Sequence, residues 1–328
     1  MKNAAQSAHR TARRSHFQAP PQDHGVRMPS FMTHLVAKAA LTAALVLFGA
    51  VPAHAQDAAA LTARHNTLRD ALAQNAFQRP LYLESNETQD QLKGDIYVQI
   101  AQSYGVAGPA MRDIGHWCDL LILHLNVKDC FASTPGQPAS LNLNVGRKFD
   151  QPLEDTYPFD FLYRVLKSEP DYLQVELTAE DGPIGTYRYR MVLEIVALDS
   201  GHSFLHLSYA YRFGLAARMA MRGYLATIGR EKRGFSIVGH DTGSGTVYIG
   251  GTRGVIERNT MRYFIAIEAY LGALSTPEPQ RLEKRLNDWY AGIERYSTQL
   301  HELERDQYLS MKRKEVRRME TLHADRTP

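Results

Sequence analysis

Residues 171–213 read DYLQVELTAEDGPIGTYRYRMVLEIVALDSGHSFLHLSYAYRF, and their patterning decides the fold. Leu173, Val175 and Leu177 alternate with Gln174, Glu176 and Thr178. Tyr187, Tyr189, Met191, Leu193 and Ile195 alternate with Arg188, Arg190, Val192, Glu194 and Val196, and Leu205, Leu207, Tyr209, Tyr211 and Phe213 with His206, Ser208, Ala210 and Arg212. Successive side chains of a strand point to opposite faces, so a two-residue period marks a strand with one buried face. Asp181-Gly182 and Asp199-Ser200-Gly201 supply the turns. The expectation is an antiparallel meander with one face on the core and the other in water. On that wet face His206 and Glu194 take surface roles, and Arg188, Arg190 and Glu176 form cross-strand charge pairs.

The strand signal begins upstream at Ser140, with Leu141, Leu143 and Val145 alternating with asparagines. Further upstream, Asp57–Asn75 reads as a short helix through Leu61, Leu68 and Leu72, ended by Arg79-Pro80. Leu81–Glu84 and Leu92–Ile100 read as two strands. Ile114, Trp117, Cys118, Leu121, Ile122 and Leu125 then follow helical spacing. Downstream, Leu215–Ile228 is a short helix carrying Arg218 and Arg222, and Gly243-Ser244-Gly245 turns a hairpin. Gly250–Gly254 opens a strong helix with Ile256, Tyr263, Phe264, Ile267, Tyr270, Leu271 and Leu274 on its apolar positions. Leu282, Leu286, Trp289, Ile293, Tyr296, Leu300 and Leu303 give a last helix a heptad spacing, suited to packing on its own domain or to dimerisation. The charged tail beyond Tyr308 is expected to fray.

The N-terminal part reads as an address. Lys38 precedes the uncharged run Ala39–Val51, and Pro52-Ala53-His54-Ala55 ends in an A-x-A pattern, the three parts of a secretory signal cleaved after Ala55. The apolar run is short of the roughly 20 residues a spanning helix needs, so an uncleaved membrane anchor is the lesser alternative. Residues 1–27 read as a disordered or over-long start, residues 28–55 as the signal, and export to a periplasm or the cell surface follows. Residues 1–55 hold six of the 38 Lys/Arg and one of the 35 Asp/Glu. Cleavage therefore leaves 32 basic and 34 acidic side chains and turns a net charge of +3 into −2. A chain near neutrality lacks the electrostatic footprint for nucleic acid, and none is expected as a partner.

Cys118 and Cys130 are the only cysteines. An even count in an oxidising compartment suggests a disulfide. As one straight strand the segment between them would span about 40 Å at about 3.3 Å per residue, against the roughly 7 Å between Cα atoms that a disulfide allows. The chain must fold back between them, as a helix ending near His124 followed by a turn permits.

Gly94-Asp95-Ile96-Tyr97-Val98, Asp113-Ile114-Gly115-His116-Trp117-Cys118, the strands from Asp171 to Phe213 and the helix Gly254–Leu274 occur in an order that resembles the START-like, or SRPBCC, helix-grip superfamily. The resemblance covers residues 80–275 and rests on element order, with no diagnostic motif. It implies an α+β fold in which a curved antiparallel sheet grips a long C-terminal helix with a cavity between them. The helix Leu215–Ile228, the added hairpin and the heptad-patterned segment 276–328 depart from the simple pattern, the last as an extra C-terminal amphipathic helix. Residues 56–79 form an N-terminal helical segment.

The expected cavity wall is Tyr187, Tyr189, Met191, Tyr209 and Tyr211 from the sheet and Tyr263, Phe264, Ile267 and Tyr270 from the helix. Tyrosines offer an apolar body and a polar tip, suited to a hydrophobic or amphipathic ligand; a solid core would use the same residues. Thr252, Arg253 and Arg258, at the start of that helix, are candidates for an anionic head group, though a tight turn with Thr252 near the N-cap accounts for the same glycines. His116, His124, Asp113, Asp119 and Asp129 cluster in sequence, but Asp113, His116 and His124 do not share one helix face, so no metal site is expected, and no cofactor. No GxSxG stands in the chain. Residues 215–233 combine Met219, Met221, Tyr224 and Leu225 with basic residues, as a pocket lid or a membrane-surface helix would. The leading expectation is a periplasmic binding protein for a hydrophobic or amphipathic ligand, lipids among the candidates. An enzyme using the same cavity, hydrolase- or cyclase-like, and an envelope interaction protein acting through its C-terminal helix are the alternatives.

Overall fold

A computed structural model describes residues 57–324 except 134–137, 242 and 244; the start, the signal segment and its cleavage site lie outside the described residues. In chain order the elements are α1 (Ala58–Thr67), α2 (Arg69–Ala73), β1 (Leu81–Glu87), β2 (Gln91–Ile100), α3 (Tyr104–Arg112), α4 (Ile114–Leu121), β3 (Val127–Ala132), β4 (Ser140–Val145), β5 (Tyr157–Ser168), β6 (Tyr172–Asp181), β7 (Thr186–Ala197) and β8 (Ser203–Phe213). There follow α5 (Leu215–Ala226), β9 (Ile237–Asp241), β10 (Gly245–Tyr248), α6 (Gly251–Gly272), α7 (Glu278–Glu294), α8 (Ser297–Leu300) and α9 (Arg305–Ala324). Eight strands form one open antiparallel sheet in the order β1-β2-β8-β7-β6-β5-β4-β3, and β9 and β10 pair separately. The alternating runs pair as the meander requires: Leu177 faces Met191, which faces Tyr209.

The sheet curves around α6, the grip of the helix-grip architecture, and α9 adds a further C-terminal helix. Gly94 of β2 shows why the two approach closely. A Cβ there would sit 2.3 Å from the Thr260 hydroxyl oxygen, so only glycine admits α6 at that crossing. Ile256, Phe264, Ile265 and Ile267 are buried on α6 and join Leu193, Leu205 and Leu207 of the sheet in the main core.

Cys118 of α4 and Cys130 in β3 stand at bonding distance, with Cα atoms 5.3 Å apart. The chain folds back through a turn after α4 into the edge strand, the geometry the bond demands.

The wet-face assignment of His206 and Glu194 is overturned. The outer face of β2, β6, β7 and β8 is covered by α1 and α2, whose Leu61, Leu68 and Leu72 pack with Tyr97, Tyr172, Val196 and Phe204 in a second core. Burying such a leucine is worth about 1.5–3 kcal/mol. His206 and Glu194 lie beneath this layer, 3 % and 2 % exposed. The expected charge pair of Arg190 with Glu176 is present at 2.7 Å, whereas Arg188 stands opposite Glu180 at 4.0 Å.

Two further corrections concern the C-terminus. The heptad pattern Leu282–Leu303 is not one helix. It crosses a break at Tyr296, where φ −122° and ψ 44° leave the helical region, because Leu286, Trp289, Ile293 and Leu300 follow a turning chain into the core. Nor is the charged tail frayed. Tyr308, Lys312 and Glu315 of α9 are 0–1 % exposed, and Lys312 and Lys128 both bond Glu315, at 2.8 and 2.9 Å.

Candidate functional site

The cavity lies at the end of the sheet where α6 begins. Gly214 hydrogen-bonds back to the Gly185 carbonyl, which steers α5 from the end of β8 across this opening. Two cavities flank α5. One, of about 380 Å³, is lined by Glu87, Gln89, Leu92, Phe213, Arg222, Leu225 and Thr252. The other, of about 330 Å³, is lined by Ile184, Tyr189, Tyr209, Tyr224, Val255 and Asn259. Thr186, Tyr211, Ala217 and Met221 border both. The two are neighbouring compartments that share walls from α5 and from the sheet.

The expected wall is distributed unevenly. Tyr189, Tyr209 and Tyr211 line the cavities and contact one another, Tyr189 and Tyr211 with ring centroids 5.0 Å apart. Tyr263 packs on Tyr209 at 5.1 Å. Tyr187 stands apart. Arg188 takes φ +49° and the register shifts between Tyr187 and Arg190, so Tyr187 pairs with Arg212 and lines a shallow outer groove with Asp90 and Gly214. Met191, Phe264 and Ile267 are buried in the main core. Tyr270 borders a separate small cavity with His116, Asp119 and Arg285. The contribution of α6 comes instead from its first turns, Thr252, Val255 and Asn259.

Of the head-group candidates, Thr252 and Arg253 are engaged within the chain. Thr252 donates to Glu87 at 2.6 Å, and Arg253 donates to the Ser85 carbonyl at 3.1 Å. Arg258 is buried deeper, donating from Nη1 to the Arg233 carbonyl at 3.2 Å. The acid and histidine cluster around the cysteines disperses: Asp113 caps α4 by accepting from Gly115 N–H, His116 bonds the Ala110 carbonyl, and Asp119 pairs with Arg285. His124 and Asp129 are buried.

Burial drives the tyrosine pKa values upward, Tyr189 to about 12, and Tyr209, Tyr211 and Tyr263 also rise. Their hydroxyls therefore stay protonated and act as hydrogen-bond donors and acceptors, as Tyr189 does to Thr186 at 2.8 Å. Among the described residues the cavity walls include no histidine, and their one carboxylate, Glu87, already accepts from Thr252. The apolar ring faces and protonated hydroxyls of this wall can hold and orient a molecule.

The reading of the sequence missed a polar core on the opposite face of the sheet. His206 Nδ1 lies 2.7 Å from Glu194 and its Nε2 2.9 Å from Asp95, while Tyr172 donates to Glu194 at 2.6 Å. Tyr97 stacks on the imidazole at 4.2 Å, and the Arg64 guanidinium lies over Tyr97 at 4.8 Å. Burial pulls the His206 pKa down, but the two carboxylates prevail and hold it raised. The available signal was the apolar stripe of Leu61, Leu68 and Leu72, which needs a surface to cover.

No protein-family model matches the chain, and no curated protein matches it. Comparison with solved structures returns matches of low identity. Norcoclaurine synthase from Thalictrum flavum is 13 % identical with a TM-score of 0.31, covering 44 % of this chain and 93 % of that one. The Zhui aromatase/cyclase from Streptomyces sp. R1128 is 11 % identical with a TM-score of 0.31, covering 63 % and 94 %. A START superfamily protein from Mycobacterium smegmatis is 14 % identical with a TM-score of 0.29, covering 42 % and 89 %. Likeness of this degree assigns no chemistry to the chain.

Proposed function

We propose that this chain is an exported binding protein for an amphipathic small molecule held beneath α5. One observation carries the reading: an apolar, tyrosine-rich space bordered by a helix that touches both of its compartments through Ala217 and Met221. Such a wall suits a ligand with an extended apolar body and a few polar groups. A fluorescence titration with the uncharged probe N-phenyl-1-naphthylamine tests it. Saturable enhancement with one-to-one stoichiometry is expected; enhancement that stays linear with probe concentration removes the reading.

The outer side of α5 supports a source for the ligand. Leu215 and Met219, one turn apart, are 73 % and 64 % exposed, and Ile228 just beyond the helix is 81 % exposed. Arg218 and Arg222 stand on the same helix. Apolar residues beside arginines favour the surface of an anionic membrane, from which the lid could take up lipid-like molecules. Co-sedimentation with phosphatidylglycerol vesicles is expected to fall at least fivefold on Leu215→Asp/Met219→Asp; unchanged sedimentation removes this role for α5.

Export itself is proposed from residues 28–55. The periplasmic form should begin at Gln56, read by mass spectrometry of its N-terminus.

A further inference from the structure

Beside the tyrosine compartment the charges do not balance. Lys148, Lys232 and Arg262 all pair with Glu302, at 2.5, 3.1 and 2.8 Å. Arg258, one turn before Arg262 on α6, has no carboxylate partner among the described residues; its Nη1 donates to the uncharged Arg233 carbonyl, with the Tyr224 hydroxyl close by. Glu302 thus answers for three cations, with a fourth adjacent. Arg258 and Arg262 are each 2 % exposed, and the Nε–H of each finds no acceptor within the described chain.

A third donor stands near them. His124 is 3 % exposed and stacks on Tyr263 at 4.7 Å. Its Nδ1 accepts from Asn126 N–H at 3.2 Å, which places the ring proton on Nε2, and that Nε2–H also lacks an acceptor. Burial first, then the charges of Arg262, Lys312, Lys148 and Lys128, hold this imidazole neutral. Glu302, by contrast, is pulled to about 2; burial would raise it, but Arg262, Lys148 and Lys232 overcome that.

None of the four cations lines the cavity itself; α6 connects them to it. Val255 and Asn259 line the tyrosine compartment, and Arg262 follows at the next helical step; Asn259 accepts from Arg262 at 3.3 Å. Tyr224, also on the wall, is the hydroxyl that faces Arg258. A structural tie between α6 and the segment after α8 needs one cation opposite Glu302. Keeping four, two of them desolvated with unanswered donors, is costly unless an anion completes the set.

We propose that Lys148, Lys232, Arg258 and Arg262 bind the anionic group, a carboxylate, phosphate or sulfonate, of the amphipathic molecule whose apolar body occupies the tyrosine compartment. This rests on the cavity reading above and specifies the ligand as an anionic amphiphile.

The test compares two probes of similar aromatic body: anionic 1-anilinonaphthalene-8-sulfonate and uncharged N-phenyl-1-naphthylamine. The anionic probe should bind at least tenfold more tightly, and that preference should fall at least tenfold in Lys148→Gln/Lys232→Gln. Both lysines are partly exposed to solvent, 29 % and 27 % at their side chains, so the variant leaves the buried arginines in place. On the unaltered chain, raising salt from 50 to 500 mM should weaken the anionic probe selectively. Displacement of it by inorganic phosphate would show a site open to a free anion, and retained preference without displacement would tie the site to a tethered head group; both support it. If the uncharged probe saturates while the anionic one binds no tighter, or the preference survives both the variant and salt, the anion site is refuted and the cavity stands. Binding of neither probe refutes both.

Discussion

His206 holds two carboxylates together beneath a helix. Its raised pKa has a definite sign: a group whose folded pKa is raised stabilises the fold fully below its ordinary 6.5 and loses that contribution as pH climbs through the raised value. Asp95 runs the opposite way. Burial would raise it, but His206 and Lys93 lower it, so its contribution is present above its ordinary 3.8 and fades in acid. The cluster therefore contributes most between about pH 4 and 6.5. His206→Gln should cost roughly 2–4 kcal/mol at pH 5, leaving two buried carboxylates facing each other, and distinctly less at pH 9. Urea denaturation at both pH values measures the difference; an equal loss at both would show that folding does not raise the imidazole's pKa. No single residue announced this cluster. Glu194 and His206 sit at the positions that alternation assigns to water, and only the leucines of a helix more than a hundred residues earlier reassign them.

At the scale of elements, α9 shows how a charged sequence can be a core sequence. MKRKEVRRME reads as solvated, yet Lys312 donates to the carbonyls of His124 and Val127, at 2.7 and 2.8 Å, as well as to Glu315. These contacts lock α9 on the turn after α4 and on edge strand β3, masking backbone that would otherwise be open to pairing. Burial first, eased by Glu315, brings Lys312 to about 8. Glu315→Ala would leave Lys312 and Lys128 without their shared carboxylate and should cost about 3–5 kcal/mol. Lys314→Ala, which breaks an exposed pair with Asp150, should cost under about 1 kcal/mol. Equal thermal shifts for the two variants would contradict this account of α9. The disulfide belongs to the same region. Closing a separation of 12 residues should contribute roughly 3 kcal/mol, so Cys118→Ala/Cys130→Ala should lower stability by about that amount in urea melts.

For the whole molecule, periodicity carried the sheet because each strand's pattern is local, and the cysteine spacing carried the α4–β3 return because bond geometry is strict. The long helix α6 was legible for the same reason. What the sequence did not reveal depended on which segments cover which faces: α1 over the outer sheet, α9 over the edge, and α5 across the opening. The cavity accordingly faces the first turns of α6 rather than Tyr263–Leu274, and Tyr187 leaves the wall through a register shift that alternation does not register. The strongest consequence is that Met221 borders both compartments beneath α5. Met221→Trp should fill the space between them without touching the main core. The most direct measurement is therefore N-phenyl-1-naphthylamine titration of the wild type and Met221→Trp side by side, with circular dichroism to confirm folding. Saturable binding by the wild type and at least a tenfold loss of affinity in the folded variant are expected; equal binding by the two would contradict a ligand site beneath α5.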